Sequence, residues 1–315
     1  MPPVYIIILN YKNWQDTVEC LDSVFRSNYK NFSVIVVDND SQNNSIEHLV
    51  DWTIMHNERI APAPISYASF HVSDISDLTN PVLFSRLTFI QNDMNGGFAA
   101  GNNIALELLK DQDGYFLLLN PDITVQDNTL EELVKFAVQQ SPAAIIGGVI
   151  RSASGNHGLL FYGGATINFM TSTITPIRKI SSEPQLDYIH GACFFAHTSN
   201  LKKVGLLSER YFLYWEESDW CYRAKQLGCR FLVCPTAICY DKISTAIGRG
   251  FMADYYYVRN GLLFIAKYRN KNLPFVLFFN VIRFFKRLFT GKWKKARGVL
   301  KGTIDFFKMR ADETK

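Results

Sequence analysis

The chain has 315 residues, 48% of them apolar, and a formal net charge of +4. This size and apolar content support one large α/β domain, or one domain with an appendage. No apolar run is long enough to predict a membrane-spanning helix, and the first residues lack the features of a signal peptide. The cysteines and histidines show no spacing typical of structural zinc. We therefore expect reduced thiols in a cytoplasmic protein.

The charge is unevenly distributed. Residues 260–315 hold 14 of the 33 Lys and Arg but only 3 of the 29 Asp and Glu, so this segment carries +11 and the remainder −7. Residues 273–289 form a broad apolar helix pattern in which the polar residues at positions 280, 283 and 287 form a narrow stripe. A second helical pattern follows, with its apolar repeat at Trp293, Ala296, Leu300, Ile304 and Phe307. Basic amphipathic helices predict contact with a membrane surface and not with nucleic acid. The alternative is a helix pair packed on the main domain.

Continuous apolar runs alternate with helical patterns along the first half of the chain. Residues 4–10, 32–40, 87–93 and 115–122 contain such runs, and residues 15–28 and 99–110 have helical spacing. Unbroken apolar strands between helices predict a mostly parallel sheet covered on both faces. Asn128 and Glu131 predict a capping box at the start of a further helix. Residues 51–86 have no clean period and are interpreted as an elaborated connection.

Polar side chains follow each of these predicted strands. They are Asn10, then Asp38 and Asn39, then Asn92 and Asp93, then Asn120 and Asp122 around Pro121. Proline cannot donate to a sheet ladder, so the last strand must stop at this point. Ligands of open parallel sheets bind beyond the carboxyl ends of the strands. The sequence therefore predicts a polar cleft along one edge of the sheet.

The glycine pattern argues against two common classes of nucleotide-binding enzyme. The segment GGFAAG, residues 96–101, lacks the dinucleotide-binding spacing and does not follow the first strand, and the chain has no P-loop. These facts disfavour a nicotinamide enzyme and a P-loop kinase. A nucleotide can still bind by another route, because Asp38 can accept from a base or ribose and Asp122 can hold a hard divalent cation. The alternative is that both aspartates only cap turns.

A second polar cluster lies in YFLYWEESDWCYRAKQLG, residues 211–228. Glu216, Glu217 and Asp219 stand among aromatic residues at the start of a predicted helix. Carboxylates beside aromatic rings suit a sugar, which offers apolar C–H faces and hydroxyl rims. The alternative is an ordinary acidic helix N-terminus, which the helix dipole favours.

Six segments in order carry a resemblance to a known family. They are Asn10, VVDNDSQNNS (36–45), NGGFAAGNN (95–103), LLLNPD (117–122), HGACFFA (190–196) and YWEESDWCYRAKQLG (214–228). Over roughly residues 3–270 the chain resembles a family 2 glycosyltransferase of the GT-A fold, in the rhamnosyltransferase-like branch. The resemblance implies a Rossmann-like, mostly parallel central sheet flanked by helices. It also implies an inverting transfer from a nucleotide-sugar donor, linked to UDP, dTDP or GDP, with Mn²⁺ or Mg²⁺ as cofactor.

The resemblance also implies roles for residues of the donor site. Asn10 corresponds to the nucleobase contact, Asp38 to the base or ribose contact, and Asp122 to the ligand of the metal and diphosphate. We group five further residues with the nucleotide site: Asn39, Asn95, Gly97, Asn103 and Asn120.

The acidic cluster corresponds to the catalytic motif of the family. Glu217 stands at the position of the general base, where the family usually has Asp, and Glu216 and Asp219 are its alternatives. The extra methylene keeps a carboxylate of similar intrinsic pKa. Tyr214 and Trp215 are expected to shape the acceptor side. The segment His190, Gly191 and Ala192 is expected near the donor sugar.

The last implied role concerns a metal ligand. The family commonly has a histidine at the position that Asp241 occupies here. A carboxylate can also hold Mg²⁺ or Mn²⁺ beside Asp122. The alternative is that Asp241 pairs with Lys242 or Arg249.

These observations lead to one principal hypothesis and two rivals. The principal hypothesis is that residues 1–265 form a glycosyltransferase domain and residues 266–315 a basic amphipathic helical tail. The enzyme would act on a glycan or lipid-linked acceptor, in bacterial surface polysaccharide assembly at the inner face of the cell membrane. A nucleotidyltransferase would need a basic, glycine-rich N-terminal loop, which residues 8–16 do not offer. A non-catalytic nucleotide-sugar-binding protein or assembly subunit stays open, because positions 217 and 241 are atypical.

Overall fold

The computed structural model describes residues 1–59, 64–77, 85–242 and 250–312. In these ranges strands and helices alternate through the first half, and helices dominate the end. The strands are β1 (Val4–Asn10), β2 (Phe32–Asp38), β3 (Tyr67–His71), β4 (Leu87–Gln91), β5 (Tyr115–Leu119), β6 (Ile123–Val125), β7 (Ala144–Ser152), β8 (Leu159–Tyr162), β9 (Gly164–Asn168), β10 (Thr173–Pro176), β11 (Tyr188–Ile189), β12 (Cys193–His197) and β13 (Arg230–Asp241).

The helices cover both faces of the sheet and extend the chain beyond it. They are α1 (Trp14–Phe25), α2 (Ser45–Arg59), α3 (Gly97–Leu108), α4 (Thr129–Ala137), α5 (Ser199–Val204), α6 (Glu216–Gln226), α7 (Phe251–Tyr268), α8 (Leu273–Phe289) and α9 (Trp293–Asp312), with short 3-10 helices at Val72–Asp77 and Asn270–Asn272.

The first half of the sheet is parallel. β1 pairs in parallel with β2 and β5, and β4 pairs in parallel with β2 and β3. Side chains of β1 alternate between two buried hydrophobic clusters, one on each face. Burial on both faces explains why these strands are continuously apolar in the sequence. The predicted parallel sheet and the α/β fold class are therefore confirmed.

The second half of the sheet is mixed. Beyond β5 the order continues through β12, β7, β8, β9 and β10, and β12 is antiparallel to both of its neighbours. β13 is parallel to β7, and its end pairs antiparallel with β6. The short β6 therefore brings the chain after Pro121 next to residues 239–241.

The helix predicted after Asn128 is present as α4, but the capping box predicted at its start is wrong. The side chain of the N-cap residue Asn128 makes no capping hydrogen bond. The hydroxyl of Thr129 donates instead to the carbonyl oxygen of Ile238 at 2.7 Å. Within residues 51–86, the described parts contain the end of α2, strand β3 and a 3-10 helix.

The C-terminal helices pack on one another through small residues. A Cβ at Gly298 of α9 would lie 2.5 Å from the carbonyl oxygen of Phe251, and one at Gly302 would lie 2.6 Å from that of Tyr255. Ala296, Val299 and Phe306 are buried in the same helix. In the described part of the chain, none of the helices combines the length and apolarity needed to cross a membrane.

Candidate active site

A cleft of about 240 Å³ opens at the carboxyl ends of β1, β2 and β5. This is the edge at which the sequence predicts a polar cleft. Its wall includes five residues of the predicted site: Asn39, Asn95, Gly97, Asn120 and Asp122. Tyr214 borders it as well, together with the aromatic side chains of Tyr11, Phe98 and Phe212.

Asn10 and Asp38 are buried beside this cleft and hydrogen-bonded to each other. The amide of Asn10 donates to Asp38 Oδ2 at 2.6 Å and accepts from the hydroxyl of Thr17 at 2.9 Å. The backbone N–H and the hydroxyl of Ser41 both donate to Asp38, at 2.8 and 2.6 Å. Asp38 thus caps the turn after β2, which is the alternative left open by the sequence. Contact of either side chain with a nucleotide stays a prediction.

Asn39, Asn95 and Gly97 form one wall of the cleft. The amide of Asn39 donates to Asn95 Oδ1 at 2.8 Å and to the carbonyl oxygen of Gly97 at 3.1 Å. Gly97 has a φ of 85°, and a Cβ there would lie 2.1 Å from the carbonyl oxygen of Phe212. Only glycine allows both this backbone conformation and this close approach. The glycine therefore docks the start of α3 against the segment that leads to α6.

Asn103 differs from the other predicted nucleotide-binding residues. Its amide donates to the carbonyl oxygen of Leu207 and to Glu209, and its Oδ1 accepts from the N–H of Leu207, at 2.9, 2.8 and 3.0 Å. Both the amide nitrogen and Oδ1 of Asn103 are thus already hydrogen-bonded within the protein. The geometry favours a structural role that fixes the loop after α5.

The turn after β5 puts Asp122 on the cleft wall and brings Asp241 near it. The backbone N–H of Ile123 donates to the carbonyl oxygen of Asn120 at 3.2 Å, which closes the turn. Asp241 is the partner of Ile123 in the β6–β13 pairing. The ammonium of Lys242 is held by Asp16 and Glu19, each at 2.6 Å. Arg249, the other alternative partner of Asp241, lies outside the described residues.

These two aspartates fit a hard divalent cation by the chemistry of their donor atoms. Carboxylate oxygens are the ligands that Mg²⁺ and Mn²⁺ take in proteins, and Mg²⁺ usually keeps waters and substrate phosphates as its remaining ligands. Asp122 is 8% exposed and borders the cleft. Within the ranges described, no group of three or more Asp, Glu, His or Cys side chains is arranged as a metal site.

The three acidic residues of α6 lie in different environments. Asp219 is fully buried and accepts from Lys267 and Tyr268, both at 2.8 Å, and from Arg223 at 3.0 Å. Its charge is thus neutralised inside the protein, between α6 and α7. Glu216 is 2% exposed, and its Oε2 has no hydrogen-bond partner in the described structure. Glu217 is partly exposed.

Glu217 rests against the backbone of Gly191. The N–H of Gly191 donates to the Glu217 carboxylate, and a Cβ at position 191 would lie 2.4 Å from Glu217 Oε1. Burial raises the pKa of Glu217. Burial and the charge of Glu217 raise the pKa of Glu216 well above its ordinary value. The hydrogen bond between the two side chains raises the pKa of Glu216 and lowers that of Glu217, so Glu217 is the member of the pair that ionises more readily.

The aromatic and histidine residues predicted near the sugar divide into two groups. Trp215 is 1% exposed, and its indole N–H donates to the carbonyl oxygen of Tyr257 at 3.0 Å, so it belongs to the core. Ala192 is also buried. Tyr214 borders the cleft and a second cavity, and His190 borders the second cavity. Burial lowers the pKa of His190 to about 4, so its ring is neutral at pH 7.

Sequence reasoning missed the aromatic lining of the cleft. Tyr11 follows the predicted Asn10, and Phe212 precedes the acidic cluster by a few positions. Both could have been found as large side chains beside predicted site residues. The role of Arg283, Arg287 and Lys295 in lining the second cavity was also missed, because these cations lie in the tail that was predicted to contact a membrane surface.

The fold and the cleft define an α/β protein of the kind that binds nucleotides at the carboxyl edge of a parallel sheet. The profile of "Glycosyl transferase family 2" matches residues 5–61 and 72–205, more than half of the chain. The protein therefore belongs to glycosyltransferase family 2, as its motifs predict.

Two curated relatives agree with this assignment. The low-salt glycan biosynthesis hexosyltransferase Agl10 of Haloferax volcanii is 27% identical over 165 residues, 49% of this chain and 51% of that protein. The rhamnosyltransferase WbbL of Escherichia coli is 27% identical over 153 residues, 44% of this chain and 58% of that protein. The chain thus spans a little over half the length of these relatives. The similarity to a rhamnosyltransferase agrees with the predicted branch.

Solved structures confirm the GT-A fold. The mannosyltransferase PcManGT from Pyrobaculum calidifontis, in complex with GDP-Man and Mn²⁺, has a TM-score of 0.59 at 14% identity, over 97% of this chain and 87% of that chain. TarS 1–349 of S. aureus, in complex with UDP-GlcNAc, has a TM-score of 0.55 at 15% identity, over 96% and 80% of the two chains.

Proposed function

We propose that the protein is an inverting glycosyltransferase that moves a sugar from a nucleotide-diphosphate donor to a hydroxyl of a glycan or lipid-linked acceptor. The observation that carries the proposal is the state of Glu217. It is the partly exposed carboxylate of the α6 cluster, it is held by a backbone N–H, and burial raises its pKa. A general base works best with a pKa near the operating pH, so this environment suits the role.

The reaction is a single displacement. Glu217 takes the proton of the acceptor hydroxyl while the hydroxyl oxygen forms a bond to the anomeric carbon. The bond from that carbon to the donor diphosphate breaks, and the diphosphate leaves with the electron pair. The new bond forms on the face opposite the leaving group, so the anomeric configuration inverts. Holding both reactants in the cleft turns a bimolecular step into an effectively unimolecular one.

Asp122 and Asp241 would hold Mn²⁺ or Mg²⁺, which stabilises negative charge on a diphosphate when bound. Hard oxygen ligands support this assignment. Two structurally similar proteins were solved with Mn²⁺: the mannosyltransferase PcManGT in complex with GDP-Man, and GalNAc-T7 in complex with UDP and GalNAc. Asn39, Asn95 and Asn120 border the cleft and would contact the nucleotide part of the donor.

The outer face of α8 supports a peripheral membrane location at the inner face of the cell membrane. Three of its polar residues point inward, with Asn280 buried and Arg283 and Arg287 partly buried, whereas Lys286 is exposed. Seven large apolar residues of the same helix are exposed: Phe275, Phe278, Phe279, Val281, Ile282, Phe285 and Phe289. Soluble surfaces rarely expose a contiguous apolar patch of this kind, whereas interfacial helices do. A transferase that acts on lipid-linked acceptors in bacterial surface polysaccharide assembly would need to be located at this membrane.

A thermal-shift panel of UDP-, GDP- and dTDP-sugars, with and without Mn²⁺, tests the donor. A ligand that binds the native state alone raises its stability by mass action. We expect one nucleotide series to raise the melting temperature, and to do so more strongly with Mn²⁺. Release of the nucleoside diphosphate in the presence of Mn²⁺ then separates an enzyme from a non-catalytic binding protein. A panel without any shift would contradict the proposal.

A further inference from the structure

A second cavity, of about 400 Å³, lies between the main domain and the C-terminal helices. Three cations border it, namely Arg283 and Arg287 of α8 and Lys295 of α9. One carboxylate, Asp254 of α7, lies among them and is 8% exposed. The polar side of α8 thus faces this cavity, while its apolar side is exposed.

Asp254 compensates only part of this positive charge. Its Oδ1 accepts from Arg287 Nε at 3.1 Å, and its Oδ2 forms a longer ion pair with Lys295 Nζ at 3.7 Å. Arg283 donates to Asn280 Oδ1 at 2.7 Å and stands over the ring of Tyr257. Among the residues described, no carboxylate forms an ion pair with Arg283. Three cations against one anion leave an excess of two positive charges at the cavity wall.

Partial burial of the charged Arg283 side chain costs solvation free energy when no ligand is bound. A guanidinium removed from water loses solvation that a single amide oxygen replaces incompletely. Burial lowers the pKa of Arg283 accordingly. An anion in the cavity would recover this loss, because guanidinium groups bind phosphate oxygens through charge-assisted, often bidentate hydrogen bonds.

The cavity adjoins the candidate active site. His190 and Tyr188 border it, and the next residue in the chain, Gly191, holds Glu217. Tyr214 borders both this cavity and the cleft that contains Asp122. Burial and the charges of Glu216, Glu217 and Asp254 raise the pKa of Tyr214. Tyr214 is therefore shared by the wall of this cavity and the wall of the cleft that contains Asp122.

We propose that Arg283, Arg287 and Lys295 bind a phosphate or diphosphate group of the acceptor. The inference rests on the proposed function, since it names the chemical class of that acceptor. A phosphate group carries enough negative charge to match the excess of the three cations. The exposed apolar face of α8 lies on the same helix, where a lipid attached to this phosphate would continue into the membrane.

The first test measures anion binding without catalysis. Inorganic pyrophosphate is titrated into the full-length protein by calorimetry, with a chelator present so that a metal-dependent donor site does not contribute. We expect Arg283→Gln to weaken binding at least tenfold and the exposed control Lys286→Gln to change it less than twofold. We expect Asp254→Asn, which removes the competing carboxylate, to keep or strengthen binding. Equal pyrophosphate affinity in wild type and Arg283→Gln would overturn the proposal.

Folding of each variant is checked by circular dichroism. If Arg283→Gln does not fold, Arg283→Lys replaces it, because lysine keeps the charge and loses the guanidinium fork. We then expect a several-fold loss of pyrophosphate affinity. An affinity equal to that of the wild type would count against the site.

The second test assigns the anion to the acceptor. In detergent free of phospholipid, one sugar is offered both as a prenyl diphosphate conjugate and as a neutral alkyl glycoside. We expect Arg283→Gln to raise KM about tenfold for the conjugate and to leave KM for the neutral glycoside unchanged. Equal rises for both would refute the acceptor assignment. The acceptor assignment would also be refuted if Arg283→Gln lost binding to phosphatidylglycerol vesicles but kept its pyrophosphate binding. The cations would then contact lipid headgroups.

The two proposals can fail separately. Pyrophosphate binding that depends on Arg283, in a protein that transfers no sugar to any acceptor, would contradict the enzymatic function and leave the anion site standing. Transfer to both acceptors with no dependence on Arg283 would remove the anion site and leave the function.

Discussion

Three carboxylates within one turn of α6 have three different states. Asp219 is neutralised by Lys267 and Arg223 and is closed to solvent. Glu216 is buried, and its pKa is raised well above the ordinary value by burial and by its neighbour. Glu217 remains partly exposed. This division supports the proposed role of Glu217 as the base.

Replacing Glu217 tests its chemistry directly. We expect Glu217→Gln to lower the transfer rate by on the order of 10²–10⁴-fold, the usual contribution of a general base, and to leave donor affinity nearly unchanged. The exposed Glu107→Gln of α3 is the control. Initial rates and donor titrations check the prediction. Wild-type turnover in Glu217→Gln would move the base to another residue.

The raised pKa of Glu216 predicts a pH-dependent stability. Its folded-state pKa lies above the unfolded value, so the folded state binds more protons between the two, and stability falls as pH rises through this window. We expect Glu216→Gln to remove this loss. The variant should be no more stable than wild type at pH 4 and increasingly more stable towards pH 8, by ~1.4 kcal/mol for each pKa unit of the shift.

Urea unfolding of wild type and Glu216→Gln across this pH range provides the measurement. A constant difference in the free energy of unfolding from pH 4 to pH 8 would show that Glu216 ionises normally in the folded protein.

The last two helices have an unusual distribution of polarity. α9 packs against α7 through Gly298 and Gly302, which agrees with the alternative of a helix pair on the main domain. α8 buries Asn280 and exposes five of its six phenylalanines, which agrees with the membrane prediction. The packing alternative therefore holds for α9, and membrane contact of α8 stays a prediction. Deleting the tail would uncover α7, so point substitutions on α8 are the better probe of membrane contact.

The exposed face of α8 predicts binding to lipid. We expect the combined substitution Phe278→Gln, Phe285→Gln and Phe289→Gln to lower binding to phosphatidylglycerol vesicles at least tenfold, because burying one such side chain contributes about 1.5–3 kcal/mol. The matched control is Ile54→Gln with Met55→Gln, two exposed apolar residues of α2. Vesicle flotation measures both. Equal flotation of the two variants would contradict the proposed membrane contact of α8.

The whole molecule assembles the site from distant parts of the chain. The parallel half of the sheet supplies the cleft, β6 and β13 bring Asp122 and Asp241 together, and α6 supplies Glu217. The C-terminal helices close the second cavity at Tyr214. The proposed donor and acceptor sides therefore meet where these parts join.

Metal dependence follows from this assembly. We expect Asp122→Asn to weaken Mn²⁺-dependent nucleotide binding, because a neutral amide is a poorer ligand for a hard cation. We expect Asp241→Ala to raise the Mn²⁺ concentration for half-maximal binding and Asp241→His to restore it. Calorimetry with limiting and saturating Mn²⁺ checks both, and the exposed Asp127→Asn is the control. Unchanged Mn²⁺ dependence in both Asp122→Asn and Asp241→Ala would place the metal elsewhere.

The parallel strands β1, β2, β4 and β5 and the family could be predicted from the amino-acid pattern alone. Continuous apolar runs bounded by polar residues predict strands buried on both faces, and Pro121 ends β5 because it cannot join the ladder. The ordered motifs identify the family because several modest patterns rarely occur together by chance. Tertiary structure decided which residues are accessible. Glu216, Glu217 and Asp219 are too close in sequence for a pattern to rank their burial, and Asn103 finds its partner Leu207 a hundred positions away. The face that α8 turns to solvent likewise depends on α7 and α9, since packing against other elements, not helical spacing, selects the buried side.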